Sequence, residues 1–298
     1  MIGTKTVYEF EAIDGSQFLG FLAGMGICHL ISSNGVFAKL GWRQSGGHPV
    51  PLIEIETFLT RDELAEILLS GRAELASLGE GWSEEFGRFS FSPETYHRFA
   101  MESLREAEKT KWGSFIGAEA PVLYKGDRRF ARTKFYFISG QQTFPGIAHG
   151  VAQAITKEKL DMLFDKQPGE IPLENCACLR FEPAEVEDHA QRFINPSKDS
   201  GSSNVALNYL ALCALPLFSA LPSPRFVKCV GSNPEAARGE IELRWRLWRG
   251  FVSVDTALSI QRVGAESAGI GTRGYAARAV QAVRGQNYMR MLPSIHEW

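Results

Sequence analysis

Cysteine and histidine are the residue types in this sequence that could support nucleophilic or metal chemistry. Cys176 and Cys178 form a Cys-x-Cys pair, and alternate positions of a strand would turn both thiols to one side. A zinc site needs a second Cys or His pair at matching spacing, which the sequence lacks. Cys28 and His29 are adjacent, but neighbours on a helix point about 100° apart. Neither pair predicts a catalytic or metal site, and we expect no cofactor.

Two other segments carry possible binding chemistry. The glycine-rich GIGTRG, residues 269–274, precedes a predicted helix and would form either an anion-binding nest or a plain turn. Gln141 and Gln142 follow a predicted strand and precede a predicted helix. Such amides either contact bases and phosphates or bond to the local backbone. We predict that both glutamines lie on an exposed strand-to-helix junction and contribute to DNA engagement.

Composition is ordinary for a globular protein, but charge is unevenly placed. The 298 residues carry a net charge of -2 and are 44% hydrophobic. From Arg225 to Trp298 there are 11 Lys and Arg against 6 Asp and Glu, which leaves -7 for the first 224 residues. The C-terminal region is therefore basic, and it is either a nucleic-acid contact or an ordinary solvated face.

Cysteine usage and hydropathy indicate a cytoplasmic protein without a membrane segment. The five cysteines are an odd number, which fits free thiols in a reducing compartment. The start of the chain has no charged segment followed by an apolar one, so no secretory signal is expected. The apolar run from Phe18 to Ile31 is shorter than the roughly 20 residues that span a bilayer, and it contains His29. It predicts a buried helix.

Hydrophobic periodicity predicts strands and helices without strict alternation, which favours an α+β fold with mixed or antiparallel sheets and several buried helices. The predicted strands are Thr6–Ala12, Val36–Trp42, Leu52–Phe58, FGRFSF (86–91), Ala131–Ser139, CLRFEP (178–183) and GEIELRWRLWRG (239–250). The predicted helices are Phe18–Ile31, Thr60 to about Leu78, Ser92 to about Lys111, Phe144 to about Phe164, Asn204–Phe218 and YAARAVQAVRG (275–285). A Thr60–Glu63 capping box begins the second helix. QSGGHPVP (44–51) is predicted to be an exposed loop.

The last predicted strand is the source of the main candidate site. Its alternation places Ile241, Leu243, Trp245 and Leu247 in the core and turns the other face outward. The outward arginines would contact phosphates and the tryptophan would stack or pack. The predicted nucleic-acid contacts on this face and its extension are Arg244, Arg246, Trp248, Arg273, Arg278 and Arg284. Further predicted contacts are Lys134, Gln141, Gln142, and Asn195 and Lys198 in a polar loop.

Several segments together resemble a known family. They are FLGFLAGMGICHLI (18–31), RTKFYFISGQQTFPGI (132–147), FEPAE (181–185), RFINPSK (192–198) and NVALNYLALCALPLF (204–218). In this order they are similar to the large-subunit group of type I-U (also called I-G) CRISPR surveillance complexes, and to its shorter members in particular.

The resemblance implies a subunit of an RNA-guided antiviral complex without catalytic residues of its own. Such a subunit would join CRISPR RNA, target DNA and the other Cascade subunits, help engage DNA at the protospacer-adjacent motif, and support recruitment of the helicase-nuclease. Residues 1–220 would form the core domain, and residues 221–298 a basic region packed on it.

Two alternatives from other classes remain open. One is a small-molecule enzyme with a pocket between the buried helices and Cys28 or His149 as the reactive group. The other is a purely protein-binding scaffold.

Overall fold

The computed structural model describes residues 5–103, 107–124, 127–137, 142–183, 185, 202–222, 227–233, 241–263, 273–281 and 289–296. The fold is mixed α+β with antiparallel sheets, which confirms the predicted class. Among the described residues, no helix combines the length and the apolar character needed to cross a bilayer.

The described strands are β1 (Thr6–Glu9), β2 (Ala38–Ser45), β3 (His48–Ile55), β4 (Gly117–Tyr124), β5 (Asp127–Arg132), β6 (Ala220–Pro222), β7 (Val227–Cys229), β8 (Ser232–Asn233), β9 (Ile241–Leu247), β10 (Arg273–Gln281), β11 (Met289–Met291) and β12 (Ile295–His296). The described helices are α1 (Phe18–Ser33), α2 (Arg61–Leu69), α3 (Arg72–Ser77), α4 (Glu84–Gly87), α5 (Pro93–Ser103), α6 (Ala107–Ile116), α7 (Phe144–Ala154), α8 (Lys157–Asp165), α9 (Val205–Ala214) and α10 (Val254–Arg262).

The N-terminal sheet has the strand order β1-β3-β2. The loop predicted over residues 44–51 is wrong, because β2 and β3 pair as far as Ser45 and His48. Only Gly46 and Gly47 form the turn, with φ of 56° and 92°. Two glycines with positive φ are what a tight two-residue hairpin requires, so the strands continue to the turn.

Helix α1 lies against α9 at the centre of the core, and both helices are buried along nearly their whole length. They approach closely: a Cβ on Gly26 would lie 2.0 Å from the backbone oxygen of Leu210. Glycine is therefore needed at this crossing. Both helices were predicted from their apolar runs, and the structure confirms them.

The two helices predicted as single units over 60–78 and 144–164 are each broken once. The first has the predicted capping box, with the Thr60 side chain accepting from Glu63 N, but it ends at Leu69 and resumes at Arg72. The second breaks after Ala154, where Thr156 caps the next helix. A new cap supplies partners for helical N–H groups that would otherwise have none, so a short second helix can begin.

The strand predicted over 86–91 is wrong. Ser83 accepts a hydrogen bond from Phe86 N and begins the one-turn helix α4. The rings of Phe86 and Phe91 stack at 4.3 Å, and Phe86 also contacts Phe99 on α5. Because these aromatic residues cluster with one another, the chain bends here.

The strand predicted over 131–139 is confirmed only at Ala131 and Arg132, and it is wrong for 133–137. Strand β5 ends at Arg132, and the Thr133 hydroxyl then accepts a hydrogen bond from Phe135 N at 3.3 Å in a turn. Phe135, Tyr136 and Phe137 are all buried. Three consecutive buried side chains do not fit a strand with one exposed face. Residues 138 and 139 lie outside the described part of the chain.

The predicted strand CLRFEP forms no strand among the described residues. Its backbone donors are satisfied by side chains instead. Leu179 N donates to Asn208 Oδ1 at 2.9 Å, and Phe181 N donates to Glu185 Oε2 at 3.1 Å. Since these donors already have partners, the segment has no need of a neighbouring strand.

The C-terminal sheet has the order β11-β10-β9-β8, with β12 also paired to β10. Strand β9 confirms the prediction. The helix predicted over 275–285 is wrong in its described part, because 275–281 belongs to β10. Seven residues of β10, from Arg273 to Ala279, pair with Leu247 to Ile241 of β9. This long-range pairing overrides the helical propensity of the alanine-rich segment.

The C-terminal sheet docks on the N-terminal elements through two tryptophans. Trp245 Nε1 donates to Gly15 O at 2.9 Å, and Trp248 Nε1 donates to Leu40 O at 2.9 Å. Core residues from both parts of the chain form one cluster. The domain boundary at residue 220 stays a prediction.

Candidate nucleic-acid interface

Strand β9 presents a core face and an outer face. Leu243, Trp245 and Leu247 are buried, whereas Arg244 is exposed and Arg246 is half-buried. This alternation is the one predicted from the sequence, and it places the two arginines on the outer face.

Trp248 does not join them, so this part of the prediction is wrong. It is only 2% exposed, and its ring meets Trp42 edge-on at 6.2 Å. The strand ends at Leu247, and the chain then turns through Gly250, which has φ of 77°. Because alternation holds only within a strand, it does not determine the direction of the next side chain.

A buried carboxylate organises the outer face. Glu242 Oε1 accepts from Arg244 Nε at 2.6 Å and from Asn233 Nδ2 at 2.9 Å, and Arg278 Nε lies 3.4 Å from Glu242 Oε2. Arg278 is the cross-strand partner of Glu242. The two guanidinium groups remain about half exposed, at 48% and 58% of the side chain. Among the described residues, this cluster contains one carboxylate and two guanidinium groups.

The pKa of Glu242 is lowered from its ordinary value. Burial alone would raise the pKa, but hydrogen bonds from Asn233 and Arg244 and the charges of Arg244 and Arg278 outweigh it. The carboxylate is therefore ionised at neutral pH, and it fixes the position of the guanidinium groups.

Arg246 serves the fold more than the surface. Its guanidinium Nη1 donates to the carbonyl oxygens of Ile260, at 3.4 Å, and of Val263, at the C-terminal end of α10. The Gln261 amide bonds both the backbone N and the backbone O of Arg246. A cation at a helix C-terminus is favourable because the last carbonyls carry partial negative charge.

Arg273 lies on the opposite face of the sheet from Arg278. The two are five residues apart on β10, and an odd separation puts side chains on opposite faces. Arg273 is exposed and pairs with Leu247 in the ladder, next to the β2–β3 hairpin. The prediction that Arg273 extends the Arg244 region is therefore wrong.

Lys134 lies in the turn that follows β5. It is exposed, and its backbone N donates to Cys229 Sγ at 3.3 Å. Gly231, two residues further on, accepts from Arg244 N at 2.7 Å. The turn at 229–231 thus accepts hydrogen bonds from the backbone N–H groups of both Lys134 and Arg244. A hollow of about 170 Å³ borders Arg244 and Arg246 near this turn.

Gln142 is not as exposed as predicted. It precedes the helix cap Thr143, but it is half-buried, and its Oε1 is buried with no partner among the described residues. The chain before the gap, 133–137, is a turn region and not a strand. The remaining predicted contacts lie outside the described residues: Gln141, Asn195, Lys198 and Arg284.

Cys28 and His149, the candidate reactive groups of the small-molecule enzyme alternative, differ in their exposure to solvent. Cys28 is fully buried, and burial raises the pKa of its thiol to about 12, which disfavours the nucleophilic thiolate. His149 is exposed, with Nδ1 bonded to Ala76 O at 2.8 Å and Nε2 to Gln153 Nε2 at 2.7 Å. A cavity between buried helices, lined in part by His29 and Cys213, holds about 30 Å³, room for about one water.

Cys176 and Cys178 are both buried. In the part of the chain that the structure describes, no three His, Cys, Asp or Glu side chains are grouped so that they could hold a metal ion.

Sequence reasoning missed a close pair of carboxyl groups, the half-buried Glu182 and the buried Glu185. Burial is the main cause that raises the pKa of both, and repulsion between them raises that of Glu182 further. Asn208 Nδ2 donates to Glu185. The only sequence signal was two acids in FEPAE next to an apolar helix, which does not reveal burial.

Sequence reasoning also missed Arg249 and Gln44. Together with Arg273 they line a groove beside the β2–β3 hairpin. Arg249 follows a buried tryptophan and precedes a glycine, which is a weak sign of an exposed corner.

No protein-family model matches this sequence, and a search of curated proteins finds no match.

Proposed function

We propose that this chain is a non-catalytic subunit of a type I CRISPR RNA-guided antiviral complex. It works in the cytoplasm with CRISPR RNA, target DNA, the other Cascade subunits and the helicase-nuclease. Its role is to help engage target DNA and to support helicase-nuclease recruitment. In such complexes base pairing reads the sequence, while protein reads a short motif and the backbone.

The observation that carries the proposal is the cluster of half-exposed arginines on the outer face of the C-terminal sheet. Arg244 and Arg278 project guanidinium groups that are about half exposed, and Glu242 holds both in place. Guanidinium groups suit phosphate because they offer several N–H donors in a planar fork. Lys134 is exposed, and its backbone contacts the same turn that binds the backbone of Arg244. The resemblance of RTKFYFISGQQTFPGI and the other quoted segments to the CRISPR large-subunit group is the basis for proposing this kind of complex.

The test is an Arg244→Ala/Arg278→Ala double variant of the full chain, assembled with the other subunits and CRISPR RNA. Affinity for target DNA is measured across a range of salt concentrations. We expect weaker binding and a salt dependence flatter by roughly one unit of slope per lost phosphate contact. Sequence preference should be unchanged, since phosphates carry no sequence information.

The matched control is Arg98→Ala, which removes an exposed arginine on α5. Unchanged affinity and slope in the double variant, with the subunit still assembled, would assign the cluster to a protein contact or a solvated surface. Failure of the wild-type chain to co-purify with any CRISPR subunit would overturn the proposed complex itself.

A further inference from the structure

A groove lies between the N-terminal hairpin and the end of the C-terminal sheet. Its volume is about 250 Å³, and its lining includes Trp42, Gln44 and Pro49 from the hairpin and Trp248, Arg249 and Arg273 from the C-terminal part of the chain. We infer that this hairpin groove binds the phosphate of a nucleotide, either free or within a nucleic-acid strand. The inference does not rest on the proposed function, since it concerns other residues on another face of the sheet.

Arg249 is the available cation of the hairpin groove. It is exposed, and no hydrogen-bond or ion-pair partner is found for it among the described residues. By contrast, Arg244 and Arg278 at the other end of β9 already share Glu242. A guanidinium without a protein carboxylate keeps its charge and its donors for a ligand.

Arg273 is held ready by neutral groups. With the Gln44 amide oriented by its hydrogen bonds, its oxygen accepts from Arg273 Nη1 at 2.7 Å and its nitrogen donates to His48 O at 3.2 Å. Tyr275 lies close to Arg273 and Gln44: burial raises the pKa of its hydroxyl, and the positive charge of Arg273 opposes that rise. These contacts fix the guanidinium but do not neutralise it, so binding an anion requires little reordering of the side chain.

A third arginine belongs to the rim and not to the ligand site. Arg43 donates to Glu9 Oε2 at 2.8 Å and to Glu11 Oε1 at 2.6 Å. Its charge is therefore already matched by two carboxylates. The same carboxylates place negative charge at the hairpin edge, which limits the positive region to Arg249 and Arg273.

Part of the groove wall is built from apolar rings. The ring of Trp42 covers Gly15 and Gly24, where added Cβ atoms would lie 2.3 Å and 2.8 Å from it. Trp42 also meets Trp248 edge-on. The half-buried indole of Trp42, next to guanidinium groups, suits a ligand with a phosphate at one end and a flat ring or sugar at the other.

The volume restricts the size of the ligand. Small-molecule sites commonly enclose roughly 300–1,000 Å³, and the hairpin groove is slightly smaller, at about 250 Å³. One nucleotide unit is thus a better match than a dinucleotide cofactor.

The experiment is calorimetric titration of the full-length chain with three probes: inorganic phosphate, thymidine monophosphate, and an oligothymidylate of about ten nucleotides. Arg249→Ala and Arg273→Ala are compared with wild type, and Arg98→Ala is the control. We expect each groove variant to weaken binding by roughly tenfold or more, and the control to bind as wild type does. Arg249→Lys should recover part of the affinity, because it restores the charge without the planar fork.

The probes separate the two sources of phosphate. Binding of the monophosphate that both groove variants weaken identifies a free nucleotide, whereas binding of the oligonucleotide alone identifies a strand. The inference is overturned if no probe binds, or if binding is equal in wild type and both groove variants while thermal unfolding shows all proteins folded. If Arg244→Ala/Arg278→Ala loses DNA binding while both groove variants keep it, the result favours the proposed function and argues against the groove as a binding site.

Discussion

The two ends of strand β9 treat their arginines in opposite ways. At the Ile241 end, Glu242 lies between Arg244 and Arg278, so the protein supplies its own counter-charge. At the Leu247 end, Arg249 has no described partner and Arg273 is held by neutral groups. A count of basic residues thus overstates the charge available at the first end and misses the second. The charge available to a ligand depends on which carboxylates and carbonyls the fold places beside each guanidinium.

We expect the largest effect on stability from a change at the Leu247 end, where Trp248 lines the hairpin groove. Trp248→Ala removes a buried ring and its hydrogen bond to Leu40 O. We expect a loss of about 3–5 kcal/mol in the free energy of unfolding, as for other buried aromatic residues truncated to alanine. Urea denaturation measures it.

The matched control for that variant is Trp248→Phe, which keeps most of the apolar contact and loses the N–H donor. It should cost less than half as much as alanine. If alanine at this position is tolerated with less than about 1 kcal/mol of loss, then Trp248 does not anchor the groove, and the contrast between the two ends weakens.

The second prediction concerns Glu242, the counter-charge at the Ile241 end of β9. Glu242→Gln removes the negative charge but keeps the size of the side chain. Hydrogen bonds to charged groups contribute about 1.5–3 kcal/mol, and exposure of both arginines reduces this, so we expect a loss of about 1–2 kcal/mol. Glu80→Gln, at an exposed position, is the control. DNA binding should strengthen, because two guanidinium groups are released from their carboxylate.

The stability lost in Glu242→Gln should depend on pH. Because the pKa of Glu242 is lowered in the folded state, its stabilisation is present above the ordinary glutamate pKa of 4.5 and is lost as pH falls through the folded value. Glu182 and Glu185 act in the opposite direction: their raised pKa makes folding less favourable as pH rises above 4.5. Both occur in wild type and variant, so they cancel in the difference. The difference in the free energy of unfolding between wild type and Glu242→Gln should therefore shrink as the pH falls. A difference that stays constant would mean that the charge of Glu242 is not what stabilises the sheet.

The sequence predicted elements whose signal is local. The apolar runs of α1 and α9, the Thr60–Glu63 capping box and the alternation of β9 are each contained within one short segment. Strand β10 was missed because its alanines favour a helix locally, and only pairing with β9 makes it a strand.

The candidate site was predicted in part for the same reason. Alternation correctly placed Arg244 outward, because that property belongs to the strand itself. The hairpin groove joins Gln44 to Arg249, which are far apart in sequence, and no local pattern indicates that they meet. The capture of Arg246 by the end of α10 is also a tertiary contact.

The smallest effect tests whether neighbours on one face have different roles. Arg246→Ala removes donors to the last carbonyls of α10 and should cost about 0.5–1.5 kcal/mol in unfolding free energy. Arg244→Ala, on the same face but more exposed, should stay within about 0.5 kcal/mol of wild type, because the Arg244 side chain is about half exposed and Glu242 keeps Asn233 and Arg278 as partners. DNA binding should follow the reverse order, with the greater loss at Arg244. Equal stability of the two variants in urea would remove the distinction, and a greater stability loss at Arg244 would reverse it. In the reversed case, Glu242 and Arg244 would form the structural support of the sheet, and the charge offered to phosphate at this end would come from Arg278 and Arg246.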